Sequence, residues 1–387
     1  MRANIPPRGT VCSRCGAREP ASLLRWRCSC GGPLDLEPTP RFDRATVDDG
    51  ERSLWRYRAQ IGVAERTGVG WRDVSMREGG TPLVAISPGD RRLLAKVDYL
   101  MPTLSFKDRG AAVLITHAAA MGAAEVIADS SGNAGTAIAA YAARAGIGCT
   151  VYVRSATSLG KLSQAERYGA RVVRVPGTRE DAARAAHAAL STASNSPTMY
   201  ASHVYNPWFL EGTKTLAYEI CEQLDWTLPD RVVLPVGNGT LVLGAAIGFR
   251  ELVAAGIAPR LPRIIAVQAE LCAPIATAFA RGATDVSDAV DVITSDTAAE
   301  GIAIASPARG AQILAAVRES KGAVVTVTEG EIAAATLRLA EQGFDVEPTA
   351  AATCAAAFRL DETDASREAE PGITVTVLCG AGLKSAH

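Results

Sequence analysis

Residues 102–121 read PTLSFKDRGAAVLITHAAAM, and the lysine at position 107 decides how the rest of the chain is read. Pro102 and the capping residue Ser105 precede it, and the apolar, Ala-rich run Ala111 to Met121 follows. This pattern predicts a helix whose first turn carries Lys107, facing the mouth of a fold rather than bulk solvent. The chain has six lysines against thirty-four arginines. An amine can form a Schiff base and give up its proton, whereas a guanidinium cannot. A lysine kept where arginine is the default cation points to a chemical use.

Outward from this helix, short β-rich runs alternate with helical ones. Strands are predicted at Arg92–Val97, Glu125–Asp129, Thr150–Arg154, Arg171–Val175, Thr198–Ser202, Arg231–Pro235, Arg263–Gln268, Val324–Val327 and Thr374–Leu378. Helices are predicted at 133–145, 158–168, 178–193, 211–224, 241–256 and 330–342. Most of the strands are continuous Val- and Ile-rich runs, as strands buried on both faces should be. The alternation implies an α/β protein with two parallel open sheets, ligands sitting at the carboxyl ends of the strands.

Three further motifs fall at such strand ends. Ser130-Ser131-Gly132-Asn133-Ala134-Gly135 follows one strand, with small residues for close approach and Asn133 as a donor and acceptor. Val236-Gly237-Asn238-Gly239-Thr240 opens a helix, where backbone N–H groups and the helix dipole suit a phosphate. Leu378-Cys379-Gly380-Ala381-Gly382-Leu383-Lys384 closes another strand. Near the start, Cys12-x2-Cys15 and Cys28-x-Cys30 form two knuckles with the ligand spacing of a zinc ribbon, although the second has one intervening residue. Four thiolates leave no open position, so a bound zinc would be structural.

Together these motifs resemble the fold-type II pyridoxal-phosphate enzymes, and within them the threonine synthase family. The most specific elements are 102–110 and 130–135. The resemblance implies two doubly wound open-sheet domains plus the small zinc-ribbon-like segment. It places the segment at 1–36, a large domain at 37–95 and 205–387, and a small domain at 96–204 inserted between. It implies pyridoxal 5'-phosphate as cofactor and Lys107 as the catalytic residue that carries it as an aldimine. Asn133 would contact the ring hydroxyl. Gly237, Asn238, Gly239 and Thr240 would hold the cofactor phosphate, and Cys379 would face the pyridine nitrogen. Ser130, Ser131, Lys161 and Gln164 would bind substrate. The metal ligands would be Cys12, Cys15, Cys28 and Cys30, holding structural zinc.

The reaction implied is conversion of O-phospho-L-homoserine and water to L-threonine and phosphate. Asp108, Gly237-Asn238-Gly239, Glu211-Gly212-Thr213-Lys214-Thr215 and Glu347-Pro348-Thr349-Ala350-Ala351 resemble that family's segments. Three residues depart from its pattern: Met101 stands where Asn is usual, Leu104 where Gly is common, and Cys379 where Thr is usual. They keep open a dehydratase or β-replacing enzyme acting on serine, threonine or a phosphorylated amino acid. A thiol is a weak donor, so Cys379 would leave the ring nitrogen unprotonated. His203 is expected to border the site without acting in it, Glu347 could touch the ring edge, and Lys214 and Lys384 lie in family-like segments with no contact assigned.

The formal net charge of −1 and the lack of a basic block disfavour nucleic acid or an anionic membrane as partners. The Ala-rich stretches are too short and interrupted to span a bilayer. An odd count of nine cysteines and no apolar leader suggest a reduced, cytoplasmic enzyme. A small-molecule amino-acid substrate and a homodimer complete the expectation.

Overall fold

A computed structural model of the chain describes residues 8–20, 22–38, 41–63, 69–90, 92–157, 159–192, 197–288, 295–365 and 372–384. The chain divides into two compact units, one joining Met1–Gly79 to Lys107–Thr213 and the other joining Gly80–Phe106 to Lys214–Ala386.

In the first unit a wholly parallel sheet runs in the order Arg171–Val175, Gly148–Arg154, Glu125–Ala128, Thr198–Tyr200. The helices Lys107–Ala120 and Asn133–Ala145 are buried along almost their whole length. Their Ala and Gly content has a packing reason. A methyl group added to Gly110 would overlap the Phe209 ring, and one added to Gly212 would overlap the Arg109 carbonyl. Only small residues let the Trp208–Thr213 helix approach the lysine-bearing helix this closely.

Residues 37–79, expected with the larger domain, instead pack with the lysine-bearing unit up to Gly79. Leu54, Trp55, Ile61, Trp71 and Val74 share one buried cluster with Val113, Leu114, Ile138 and Tyr141. Burying each large apolar side chain contributes about 1.5–3 kcal/mol, which decides the partner. Glu78 anchors the same segment. Its carboxylate accepts from Trp55 Nε1 at 2.7 Å and from the Tyr141 hydroxyl at 3.1 Å. Burial pushes this carboxyl up from its ordinary value. At the N-terminal end, Arg18–Glu19, Thr10–Cys12 and Leu34–Leu36 form a small antiparallel sheet.

The second unit holds a six-stranded sheet in the order Ala323–Val327, Arg263–Ala269, Arg231–Pro235, Thr374–Val377, Leu93–Lys96, Leu83–Ala85. Every neighbour is parallel except the edge strand Leu83–Ala85. The two central strands, Arg231–Pro235 and Thr374–Val377, are buried almost throughout, as expected of strands covered on both faces. Their carboxyl ends lead into the Gly237 turn and the Cys379 turn.

Candidate active site

Lys107 is the first residue of the helix Lys107–Ala120, as the sequence predicts. It is half-buried, and its Nζ lies 6.0 Å from the centre of the Phe209 ring. His203 packs edge-on to the same ring at 5.9 Å. Burial, reinforced by the charges of Lys107 and Arg179, holds the His203 imidazole well below its ordinary value, so it stays neutral. Asn133 is likewise the first residue of its helix, with Gly132 as the cap. A methyl group on Gly135 would overlap the Ser130 carbonyl, which explains the small residues of that turn. Ser130 is buried and Ser131 half-buried. Lys107, Ser130, Ser131 and Asn133 thus belong to one unit.

Three other lysines have defined partners. Lys96 is fully buried and pairs with Glu219 at 2.8 Å. Lys214 is fully buried too and pairs with Glu251 at 3.0 Å, a carboxylate that also receives the Tyr218 hydroxyl. Lys384 donates to the Thr103 carbonyl at 2.7 Å. These contacts give Lys214 and Lys384 structural duties. Lys161 lies on the helix Leu159–Arg167, but its side chain is outside the described residues. Gln164 on that helix donates its amide to Tyr168 Oη at 3.1 Å.

The second unit contributes the glycine turn and the Cys379 turn. Gly239 has φ of 79° and caps the fifteen-residue helix Thr240–Ala254. A methyl group on Gly237 would lie 2.9 Å from Ile304 Cγ1. The first-turn amides of this helix have no carbonyl within the helix to satisfy them. At the other turn, Cys379 is fully buried and donates its Sγ–H to Glu347 Oε1 at 3.3 Å. Its carbonyl accepts from the Phe106 amide at 2.9 Å, and Ser105 bridges Gly380. The residue next to Lys107 is therefore fastened to the Cys379 turn. Ser105 is fully buried, and its hydroxyl finds no hydrogen-bond partner within the protein. Leu104, just before it, adopts φ of 65°, a left-handed conformation that disfavours any side chain.

A sequence profile of the family described as pyridoxal-phosphate dependent enzyme matches residues 74–380. The chain belongs to this family. Similar proteins include a threonine synthase of Methanocaldococcus jannaschii, 34% identical over 96% of this chain and 92% of the relative. A threonine synthase of Methanosarcina acetivorans is 36% identical over 90% of this chain and 86% of the relative. Among solved structures, maize serine racemase superposes with a TM-score of 0.65 at 20% identity, covering 78% of this chain and 88% of that one. The processed threonine deaminase isoform 2 of Solanum lycopersicum gives 0.65 at 22% identity, covering 90% and 95%. At such identities the superpositions speak for the fold alone: this is a fold-type II α/β enzyme.

The residues present suit the family's cofactor. Pyridoxal phosphate needs a primary amine for its aldehyde and a donor-rich, side-chain-free turn for its phosphate. Lys107 is such an amine. The Gly237–Thr240 turn, where neighbouring isoleucines bar a side chain at either glycine, is such a turn.

The four N-terminal thiols also converge. Cys12, Cys15, Cys28 and Cys30 place their sulfurs within 4.8 Å of one another. The Cys12–Cys30 and Cys15–Cys28 separations are 3.5 and 3.6 Å. Zinc–sulfur bonds of about 2.3 Å in a tetrahedron require edges of about 3.8 Å, so the cluster can hold a metal with little movement. The amides of Arg14 and Gly32 point at the Cys12 and Cys30 sulfurs, each at 3.4 Å. Among the described residues no helix is long and apolar enough to cross a membrane.

Proposed function

We propose that this enzyme converts O-phospho-L-homoserine and water to L-threonine and inorganic phosphate. The observation that carries the reading is the match to proteins named threonine synthase over almost the whole chain. The bound cofactor supplies the electron sink that makes substrate C–H bonds acidic. The chain's residues supply the rest. Lys107 Nζ takes one proton from the substrate α-carbon and one from Cβ, and gives one to Cγ as phosphate leaves it and one back to Cα, while hydroxide from water adds at Cβ and the water's remaining proton departs with the phosphate. The Gly237–Thr240 turn holds the cofactor phosphate through backbone N–H groups and the Thr240–Ala254 helix dipole. Asn133 orients the ring, and Cys379 faces its nitrogen. Ser130, Ser131, Lys161 and Gln164 hold the substrate, with the Lys161 charge matched to the leaving phosphate.

Zinc in the four-thiol cluster would fasten the small antiparallel sheet and take no part in turnover. All nine cysteines are free thiols, which fits work in a reducing compartment. We place the enzyme in threonine biosynthesis as a cytoplasmic homodimer.

Cys379 and the strained Leu104 favour a second reading, in which serine or threonine is dehydrated or its β-substituent replaced. A paired assay decides between them. Phosphate released from O-phospho-L-homoserine in step with threonine supports the first. Keto acid formed from serine or threonine, with no phosphate release, rejects it.

A further inference from the structure

The four-thiol segment packs within the lysine-bearing unit, and one of its side chains reaches the strand that ends in the Ser130–Asn133 turn. Trp26, two residues before Cys28, is half-buried. Its ring stacks on His187 of the helix Arg179–Thr192 at 4.2 Å and meets Tyr200 and Tyr205 edge-on at 5.1 and 4.9 Å. Tyr200 lies on the strand Thr198–Tyr200 opposite Ile127, and the Ala201 amide donates to the Ile127 carbonyl at 2.8 Å. Ile127 and Tyr200 share a buried cluster against which Trp26 packs. Ser130 stands three residues beyond Ile127. Just before the strand Thr10–Cys12, Arg8 makes a further tie, pairing with Glu211 at 2.8 Å with both side chains largely buried.

The segment has little of its own to hold its shape. Its strands are three, two and three residues long. Among the described residues its own buried cluster is Cys12, Cys28 and Leu34, so thiols supply most of that small core. A unit of this size normally needs a metal or a cross-link, and the binding free energy of a structural metal is then folding free energy. Trp26 adjoins the loop that a metal would fix. There the Cys28 amide donates to the Gly32 carbonyl at 3.0 Å, and Arg27 bridges Pro33.

We propose that metal occupancy of the four-thiol cluster sets how firmly the Ser130–Asn133 turn is held, and that Trp26 is the positioning residue that carries the effect. The route runs from Cys28 to Trp26, from Trp26 to Tyr200, and through the strand pairing of Tyr200 with Ile127 to the turn. The metal still takes no part in the chemistry. Its consequence for substrate rests on the proposed role of Ser130, Ser131 and Asn133, whereas the coupling itself does not.

The test is hydrogen–deuterium exchange of the peptide covering 129–135, with and without pyridoxal phosphate. It compares zinc-loaded protein, protein stripped by a chelator, and Trp26→Ala. Stripping should raise exchange there about 5- to 30-fold, and added zinc should reverse it. Trp26→Ala should raise it to a similar extent, stripping that variant should add little more, and Trp26→Phe should stay near the wild type. His187→Ala removes the stacking from the other side and stands in if Trp26→Ala does not fold. With the coupling seen, an unchanged KM for O-phospho-L-homoserine in stripped protein would reject the turn as a substrate site and leave the coupling standing. A protein that takes up no zinc, or exchange at 129–135 left unchanged by either stripping or the loss of the Trp26 stack, overturns the proposal.

Discussion

Replacing Gly239 with alanine tests whether the turn proposed to hold the cofactor phosphate is shaped by its lack of a side chain. The residue has φ of 79°, and an L-residue there costs about 1–2 kcal/mol. The new methyl would also sit 2.5 Å from Ile313 Cγ1 and overlap Cδ1, and Ile313 is fully buried. Overpacking a closed core adds about 1–3 kcal/mol. The sum is roughly 2–5 kcal/mol, which at about 2–4 °C per kcal/mol for a unit of this size lowers Tm by roughly 4–20 °C. Ile313→Ala separates the two contributions. Alone it should cost about 2–5 kcal/mol, but less in the Gly239→Ala background, and the coupling reads the overlap. Cofactor binding should weaken as well. Losing one amide–phosphate hydrogen bond is worth about 1.5–3 kcal/mol, a rise of roughly 10- to 150-fold in Kd. Thermal unfolding of apo-enzyme and titration with pyridoxal phosphate measure both effects. Gly239→Ala with wild-type stability and wild-type Kd would refute the argument that this glycine shapes the turn.

Lys107→Ala should abolish covalent cofactor attachment and turnover together, as read by borohydride trapping and phosphate release; retained activity would remove Lys107 from the mechanism. Leu104→Gly relieves a left-handed leucine worth about 1–2 kcal/mol but gains unfolded-chain freedom worth about 0.5–1 kcal/mol, so it should stabilise by up to about 1.5 kcal/mol in thermal unfolding. A destabilised variant would mean that the Leu104 side chain contributes more than its backbone costs. Burial holds His117, stacked on Trp208 at 4.2 Å, down to about 3 from an ordinary 6.5. The unfolded chain therefore takes up this proton first, and the stability contribution, complete above pH 6.5, is lost as pH falls toward 3. At pH 5 the loss is about 2 kcal/mol, and His117→Gln should flatten that part of a pH–Tm curve. Purified protein should carry one zinc per chain, with chelation lowering Tm; a metal content near zero would leave the four thiols without that role.

Much of this was legible in the chain because the informative signals are local. Lys107 and Asn133 open their helices where the sequence places them, since the apolar runs that follow are written in adjacent residues, although the expected cap Ser105 leaves its hydroxyl without a partner. The glycine turn follows its strand for the same reason. Side-chain partners far apart in sequence leave no such pattern. Nothing around Cys379 announces Glu347, and nothing around Lys214 announces Glu251. The left-handed φ of Leu104 is hidden because leucine is an improbable residue for it. The place of residues 37–79 is hidden too, because their short helical turns carry no strong period; a shared core with Val113 and Tyr141 settles it.

The fastening of the Phe106 amide to Cys379, reinforced by Lys384 gripping the Thr103 carbonyl 281 residues away, bears on how the enzyme is born. On a ribosome the lysine emerges long before the turn that pins its neighbour exists. Until that distant stretch has been synthesised and docked, the Phe106 amide and the Thr103 carbonyl lack these partners. If the Cys379 turn receives the cofactor as proposed, its acquisition is postponed to the end of synthesis. A nascent chain stalled or truncated before the Thr374–Val377 strand should remain a colourless protein in the presence of abundant cofactor.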